Sequence, residues 1–243
     1  MEWRGWSETL KSVLKLDGEP VAVGFLGSGK EDGPAASGKL SVCQAIQRAA
    51  EGERVTITAE TCGCPGGLVN LGLGQTSAAG RERLVEFLVE KERVYCSRVA
   101  LHRGQQVVQP PLGMAGQVCF APLGAAAFQP DLVLFLGRPG QLHDLVGLVN
   151  YWEGGALPTD LSGPACRTAI GYPVATGNLG ISLLDFGARR LAEFPGEALL
   201  VAVPLHRMIG VMAALEAGRR RPEAHGREQA EREIDALGPV EKA

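Results

Sequence analysis

An α/β or α+β fold, a mixed sheet packed with helices, is what this sequence predicts, and three observations predict it. Short apolar runs bounded by polar or Gly-rich sequence recur along the chain, as buried strands do. Segments with apolar residues on one helical face lie between them. The 243 residues are 45% hydrophobic and 21% charged, which is ordinary composition for a folded chain with a sizeable core. Strands alternating with helices imply layered packing of helix on sheet.

The first strand is the β-branched run Pro20–Leu26, and a loop carries the chain to about Gly38. From Leu40 to Ala50 the residues Leu40, Val42, Cys43, Ile46, Ala49 and Ala50 suit one face of a helix, which Gly52 is placed to end. A strand over Arg54–Thr58 leads into Cys62-Gly63-Cys64-Pro65-Gly66-Gly67. A polar helix over Gly80–Glu92 and two strand-like runs, Val94–Leu101 and Gln117–Pro122, come next.

The run from Pro130 to Leu136 then repeats the plan as a strand, with a helix over Gln141–Trp152 stopped by Gly154-Gly155 and a loop to Cys166. A late strand, Ala198–Pro204, precedes an apolar helix over Leu205–Ala217. Glu51-Gly52 and Glu153-Gly154 are offset by 102 positions, as are Cys64 and Cys166. The sequence therefore reads as one globular domain over residues 1–218, with similar strand-helix-strand halves at about 14–80 and 125–190. Residues 219–243 read as a charged tail in which six basic residues are matched by six acidic ones.

A formal net charge of -3 gives no field that would recommend nucleic acid or an anionic membrane as partner. The start of the chain lacks a signal-peptide apolar run, and no apolar stretch reaches the roughly 20 residues that span a bilayer. The expectation is a cytoplasmic protein, where six cysteines are reduced thiols, metal ligands or redox centres rather than a disulfide framework. Cys96 and Cys119 read as small core residues.

Two thiols one residue apart, on a backbone with three glycines and a proline, make poor core and good ligand geometry. Cys166, in a similar Gly/Pro setting, and Cys43 complete the candidates. One reading is ligation of zinc or an iron–sulfur cluster by Cys43, Cys64, Cys166 and Cys62. Another is a metal-free redox or nucleophilic enzyme in which Cys64 reacts and Cys62 or Cys166 resolves it. A third is a binding module whose Gly-rich loops wall a small-molecule pocket. A small molecule or a redox protein is the partner these readings imply; substrate, reaction and oligomeric state are not legible.

Other motifs carry less. The run from Gly24 to Lys30 nearly spells a phosphate-binding loop, but Glu31 stands where Ser or Thr should hold magnesium. His102, His143, His206 and His225 are scattered, and His143 and His206 read as satisfied or surface residues of apolar helices. Asp185, four residues before Arg189, reads as half of an internal salt bridge, with anion recognition as the alternative.

Several segments share one order. They are Leu16-Asp17-Gly18-Glu19-Pro20-Val21-Ala22-Val23; Cys43 with Ala45, Ala49 and Gly52-Glu53; Cys64-Pro65-Gly66-Gly67 with Leu71-Gly72-Leu73-Gly74; Ala121-Pro122-Leu123; Phe128-Gln129-Pro130-Asp131-Leu132-Val133; Cys166; and Gly187-Ala188-Arg189. In that order they resemble domain-of-unknown-function family 169, from about Leu14 to Leu215. The family is widespread in archaea and anaerobic bacteria and has no assigned activity. The resemblance implies that Cys43, Cys64 and Cys166 occupy the family's cysteine positions, whereas Cys62, Cys96 and Cys119 are additions. Some members carry a further cysteine just before the Gly-x-Arg element, where this chain has Leu184-Asp185-Phe186 and so supplies no thiolate.

Overall fold

The structure, a computed structural model, describes residues 3–27, 38–161 and 163–217, with Arg232 and Ala236 beyond them. The tail read over 219–243 otherwise lies outside the described residues, as does most of the loop between the first strand and Gly38. In chain order the elements are α1 (Trp3–Leu14), β1 (Val21–Leu26), α2 (Val42–Ala50), β2 (Val55–Thr58), α3 (Pro65–Asn70), α4 (Ala78–Val85), α5 (Arg98–Gln105), β3 (Gln117–Pro122), β4 (Leu132–Gly137), α6 (Pro139–Glu153), α7 (Tyr172–Thr176), β5 (Gly180–Ser182), α8 (Phe186–Leu191), β6 (Leu199–Pro204) and α9 (Leu205–Glu216). Among the described residues, no helix is long and apolar enough to cross a membrane.

The six strands form one open sheet in the order β2-β3-β1-β4-β6-β5. Every pairing is antiparallel, narrower than the mixed sheet expected. The apolar runs report that both faces of the sheet are covered, which says nothing about strand direction.

Register then sorts the side chains by period two. Val23 of β1 faces Phe120 of β3 and Leu132 of β4. These residues, with Val21, Val118, Leu134, Leu200 and Ala202, pack against α2, Ala165–Ile170 and α8. Their alternates Ala22, Cys119, Ala121, Val133, Phe135, Val201 and Val203 pack against α1, α6 and α9. The result is a sheet between two helical layers. The strand order places β2-β3-β1 and β4-β6-β5 as mirror arrangements about the β1–β4 seam, whereas α2 and α6 cover opposite faces.

Local chemistry explains where α2 begins. The Ser41 hydroxyl accepts from the Gln44 backbone N–H at 3.2 Å, and the Gln44 side-chain Oε1 accepts from the Ser41 N–H at 2.9 Å. This reciprocal cap fixes the first turn and with it Cys43.

The run Val94–Leu101, expected as a strand, instead enters α5. Ser97 accepts from the Ala100 N–H at 3.1 Å and starts a helix there. The polar helix expected over Gly80–Glu92 is α4 continued by a π-helical segment, Glu86–Lys91. Five elements had no counterpart in the sequence reading: α1, α3, α7, α8 and β5. α1 buries Leu10 and Leu14 under the sheet, and β5 is a three-residue edge strand.

Candidate functional site

The approach to α2 and the loop after β2 run side by side. Leu40 forms a parallel bridge with Cys62; its N–H donates to the Thr61 carbonyl at 3.0 Å and its carbonyl accepts from the Gly63 N–H at 2.7 Å. A β-carbon at Gly63 would stand 3.0 Å from the Leu40 carbonyl carbon, so the two backbones meet closely there. Cys62-Gly63-Cys64 is thereby held beside the first turn of α2 and Cys43. Cys64 then turns the chain into α3 with an extended backbone, φ -130° and ψ 135°, and Pro65 opens the helix.

Cys166 arrives from the other end of the chain. It stands before a π-helical segment, Arg167–Gly171, that packs against α3. Arg167 is 3% exposed; its Nε donates to Asp160 Oδ2 at 3.1 Å and its guanidinium also donates to the Gly104 carbonyl. On the other side, Asp185 Oδ1 accepts from the Ala165 N–H at 3.2 Å and Oδ2 accepts from the Gly187 N–H at 3.3 Å. Asp185 therefore caps α8 and fastens the Cys166 segment to it, which corrects the expected Asp185–Arg189 salt bridge. Arg189 instead donates to the carbonyls of Leu183, Ala198 and Pro195.

These segments bring together all four cysteines singled out as ligands. Cys166 is buried; Cys43, Cys62 and Cys64 are half-buried against the same core. A β-carbon at Gly67 would lie 2.8 Å from the Cys64 sulfur and 3.2 Å from that of Cys62, and one at Gly66 would lie 3.7 Å from the Cys166 sulfur. The two glycines are the floor on which three of the sulfurs rest. All six cysteines are free thiols.

Cys119 is buried on the opposite face of the sheet, within 3.4 Å of the Thr56 hydroxyl, as expected of a core residue. Cys96 is exposed, not core, because the run that should have buried it is not a strand. His102, His143 and His206 are exposed on α5, α6 and α9, and His225 lies outside the described residues. The near-match to a phosphate loop continues as strand through Leu26, where the Phe25 N–H donates to Asp131, and its Ser28–Lys30 portion lies outside the described residues.

The cluster separates its thiols electrostatically. Cys64 is lowered to about 6, chiefly by a hydrogen bond from the Cys62 thiol, with the N–H groups of Val42 and Gly67 adding to it. Cys62 is raised in return, by that same bond and by burial. Burial first, then the Asp185 carboxylate and Cys64, push Cys43 up to about 12. Burial and the neighbouring Cys64 and Cys43 raise Cys166. Cys64 is thereby the most acidic of the four thiols.

In metal-free protein, iodoacetamide labelling of Cys64 should rise with a midpoint near pH 6, and in Cys62→Ala that midpoint should move toward the ordinary thiol value of about 8.5. An ordinary midpoint in the unaltered protein would refute the assignment. Linkage gives the sign for folding. The depressed Cys64 contributes stability present above its unfolded value and lost as pH falls through about 6. The raised Cys43 contributes stability present below its unfolded value and lost as pH rises toward about 12.

Among the described residues, no three Cys, His, Asp or Glu side chains form a ready group for a metal ion. The donor chemistry nonetheless suits a soft metal: four sulfurs, one of lowered pKa, with an amide N–H on another. Asn70 is the residue the sequence reading missed. Its contact with Cys166 spans 96 positions, so the sequence offered no local signal for it.

A family model described as uncharacterised ArCR matches residues 9–214. An uncharacterized protein of Methanocaldococcus jannaschii is 29% identical over 103 residues, which cover 42% of this chain and 44% of that protein. The match therefore spans less than half the length of this curated relative. No solved structure matches.

Proposed function

The chain belongs to domain-of-unknown-function family 169, and from the thiols it gathers we propose that it is a cysteine-ligated metal or iron–sulfur protein with Cys43, Cys62, Cys64 and Cys166 as its donors. The observation that supports this is convergence: four cysteines from three separate stretches meet on one face of the sheet, in a protein whose remaining two cysteines lie elsewhere. A bound iron–sulfur cluster would supply electron transfer, and zinc a Lewis acid.

The chain's own residues would do the rest. The N–H groups of Val42 and Gly67 hold charge on Cys64, and the bridge between Leu40 and Cys62 fixes the separation of Cys43 from the Cys-x-Cys pair. Asp185 keeps Cys166 in place through backbone, spending its oxygens on N–H groups. Such a site belongs in a reducing compartment, the cytoplasm, with a redox protein or a small molecule as partner.

A second reading rests on the Cys62–Cys64 pair. A depressed thiolate hydrogen-bonded by a neighbouring thiol is also how a nucleophilic cysteine and its resolving partner are arranged. Metal and sulfide analysis of anaerobically purified protein, beside Cys64→Ser/Cys166→Ser, separates the two. Metal in the first and its loss in the second is the expected result. Metal-free protein whose Cys64 oxidises readily to a disulfide would overturn the ligand reading in favour of the thiol enzyme.

A further inference from the structure

Asn70 ends α3 with its side chain turned into the cysteine cluster, and it is buried at 9% exposure. Its Nδ2 donates to the Gly66 carbonyl at 2.7 Å and to the Cys166 sulfur at 3.4 Å. The bond to Gly66 settles which end of the amide faces the cluster, because a carbonyl accepts only from the NH2 group. The remaining N–H is then committed to sulfur.

Asn70 is also placed with little freedom. Its backbone carbonyl oxygen would lie 2.5 Å from a β-carbon at Gly171, so α3 and the segment after Cys166 are in direct backbone contact at this residue. The amide is held from both sides of the joint that brings Cys166 to the other thiols.

Resting on the reading of the four cysteines as ligands, we propose that Asn70 is a positioning residue. Its amide N–H orients the Cys166 sulfur toward the metal and withdraws electron density from it. An N–H bonded to a coordinating sulfur lowers the energy of the sulfur lone pairs, one of the means by which a protein tunes a metal site beyond its ligands. A residue serving packing alone would leave the electronic structure of the metal–sulfur bond unchanged.

Cobalt(II) is the probe, because its bonds to thiolate give a charge-transfer absorption whether the native metal is zinc or iron. Full-length metal-free protein is titrated anaerobically with cobalt(II), beside Asn70→Asp, which keeps the shape and replaces the donor with oxygen, and Asn70→Ala. The expected result is a sulfur-to-cobalt band in the unaltered protein that moves to longer wavelength in both variants, together with faster cobalt loss to a chelator. A band unmoved in folded Asn70→Asp or Asn70→Ala overturns the proposal, and failure of both variants to fold overturns it in favour of a structural role. Absence of any thiolate–cobalt band from the unaltered protein would instead refute the ligand reading on which the proposal stands.

Discussion

Asp160→Ala should destabilise the fold by roughly 3–5 kcal/mol, the range for breaking a buried ion pair from one side. Surface ion pairs are worth far less because water screens them, so exposure decides which case applies. The side chains of Arg167 and Asp160 are 3% and 11% exposed, so Arg167 would be left charged and without this carboxylate in a place water barely reaches. Its packing is as tight as its pairing: a β-carbon at Gly163 would fall 2.2 Å from the guanidinium. Because Arg167 follows Cys166 directly, the damage should reach the cluster. Chemical denaturation gives the stability, and the rate at which Cys166 reacts with a thiol reagent gives the local effect. A loss under about 1 kcal/mol would show that the pair behaves as a surface one.

Gly67→Ala should cost roughly 1–3 kcal/mol by overpacking and, on the proposed reading of the cysteines as ligands, abolish metal uptake at the cluster. Alanine is ordinarily the better helix former, by about 1 kcal/mol. Sterics reverse the sign here, since the new β-carbon would meet Val42 Cγ2 at 2.5 Å and the Cys64 sulfur at 2.8 Å. Gly66→Ala supplies the contrast. Its β-carbon would find only ordinary contacts, 3.7 Å to the Cys166 sulfur and 3.8 Å to Asn70 Nδ2, and the helix preference should then prevail. Denaturation midpoints and metal content measured on both variants test the pair of expectations together. Equal tolerance at the two positions would mean that the cluster's floor yields.

The strands were legible because burial on both faces leaves an apolar run that needs no partner to be recognised; β1, β2, β3 and β6 stand within a residue of their expected limits, and β4 within two. Their order and direction were not, since nothing in Val21–Leu26 states that it pairs with both β3 and β4. α1 was missed because its apolar residues are diluted among charged ones, and β5 because three residues carry too little pattern to outweigh the glycines around them. At the site, cysteine is conspicuous in a chain with only six, so Cys43, Cys62, Cys64 and Cys166 were named and the fold brings them together. Asp185 was noticed and misassigned: its spacing to Arg189 suggested an ion pair, while its use as a helix cap and a clasp on Ala165 depends on a contact 20 residues back. Asn70 depends on one 96 residues ahead, which no local pattern encodes.

The bridge between Leu40 and Cys62 also divides the assembly of the cluster in time. Cys43 and Cys64 are joined by closing a short loop, whereas Cys166 enters only when a loop about five times longer closes. The added closure entropy is modest, about 1.4 kcal/mol from the logarithm of that ratio, but non-local contacts form slowly. A nascent chain therefore carries the Cys-x-Cys pair and Cys43 well before Cys166 has been synthesised. During that interval three of the four thiols stand without Cys166 and are open to oxidation.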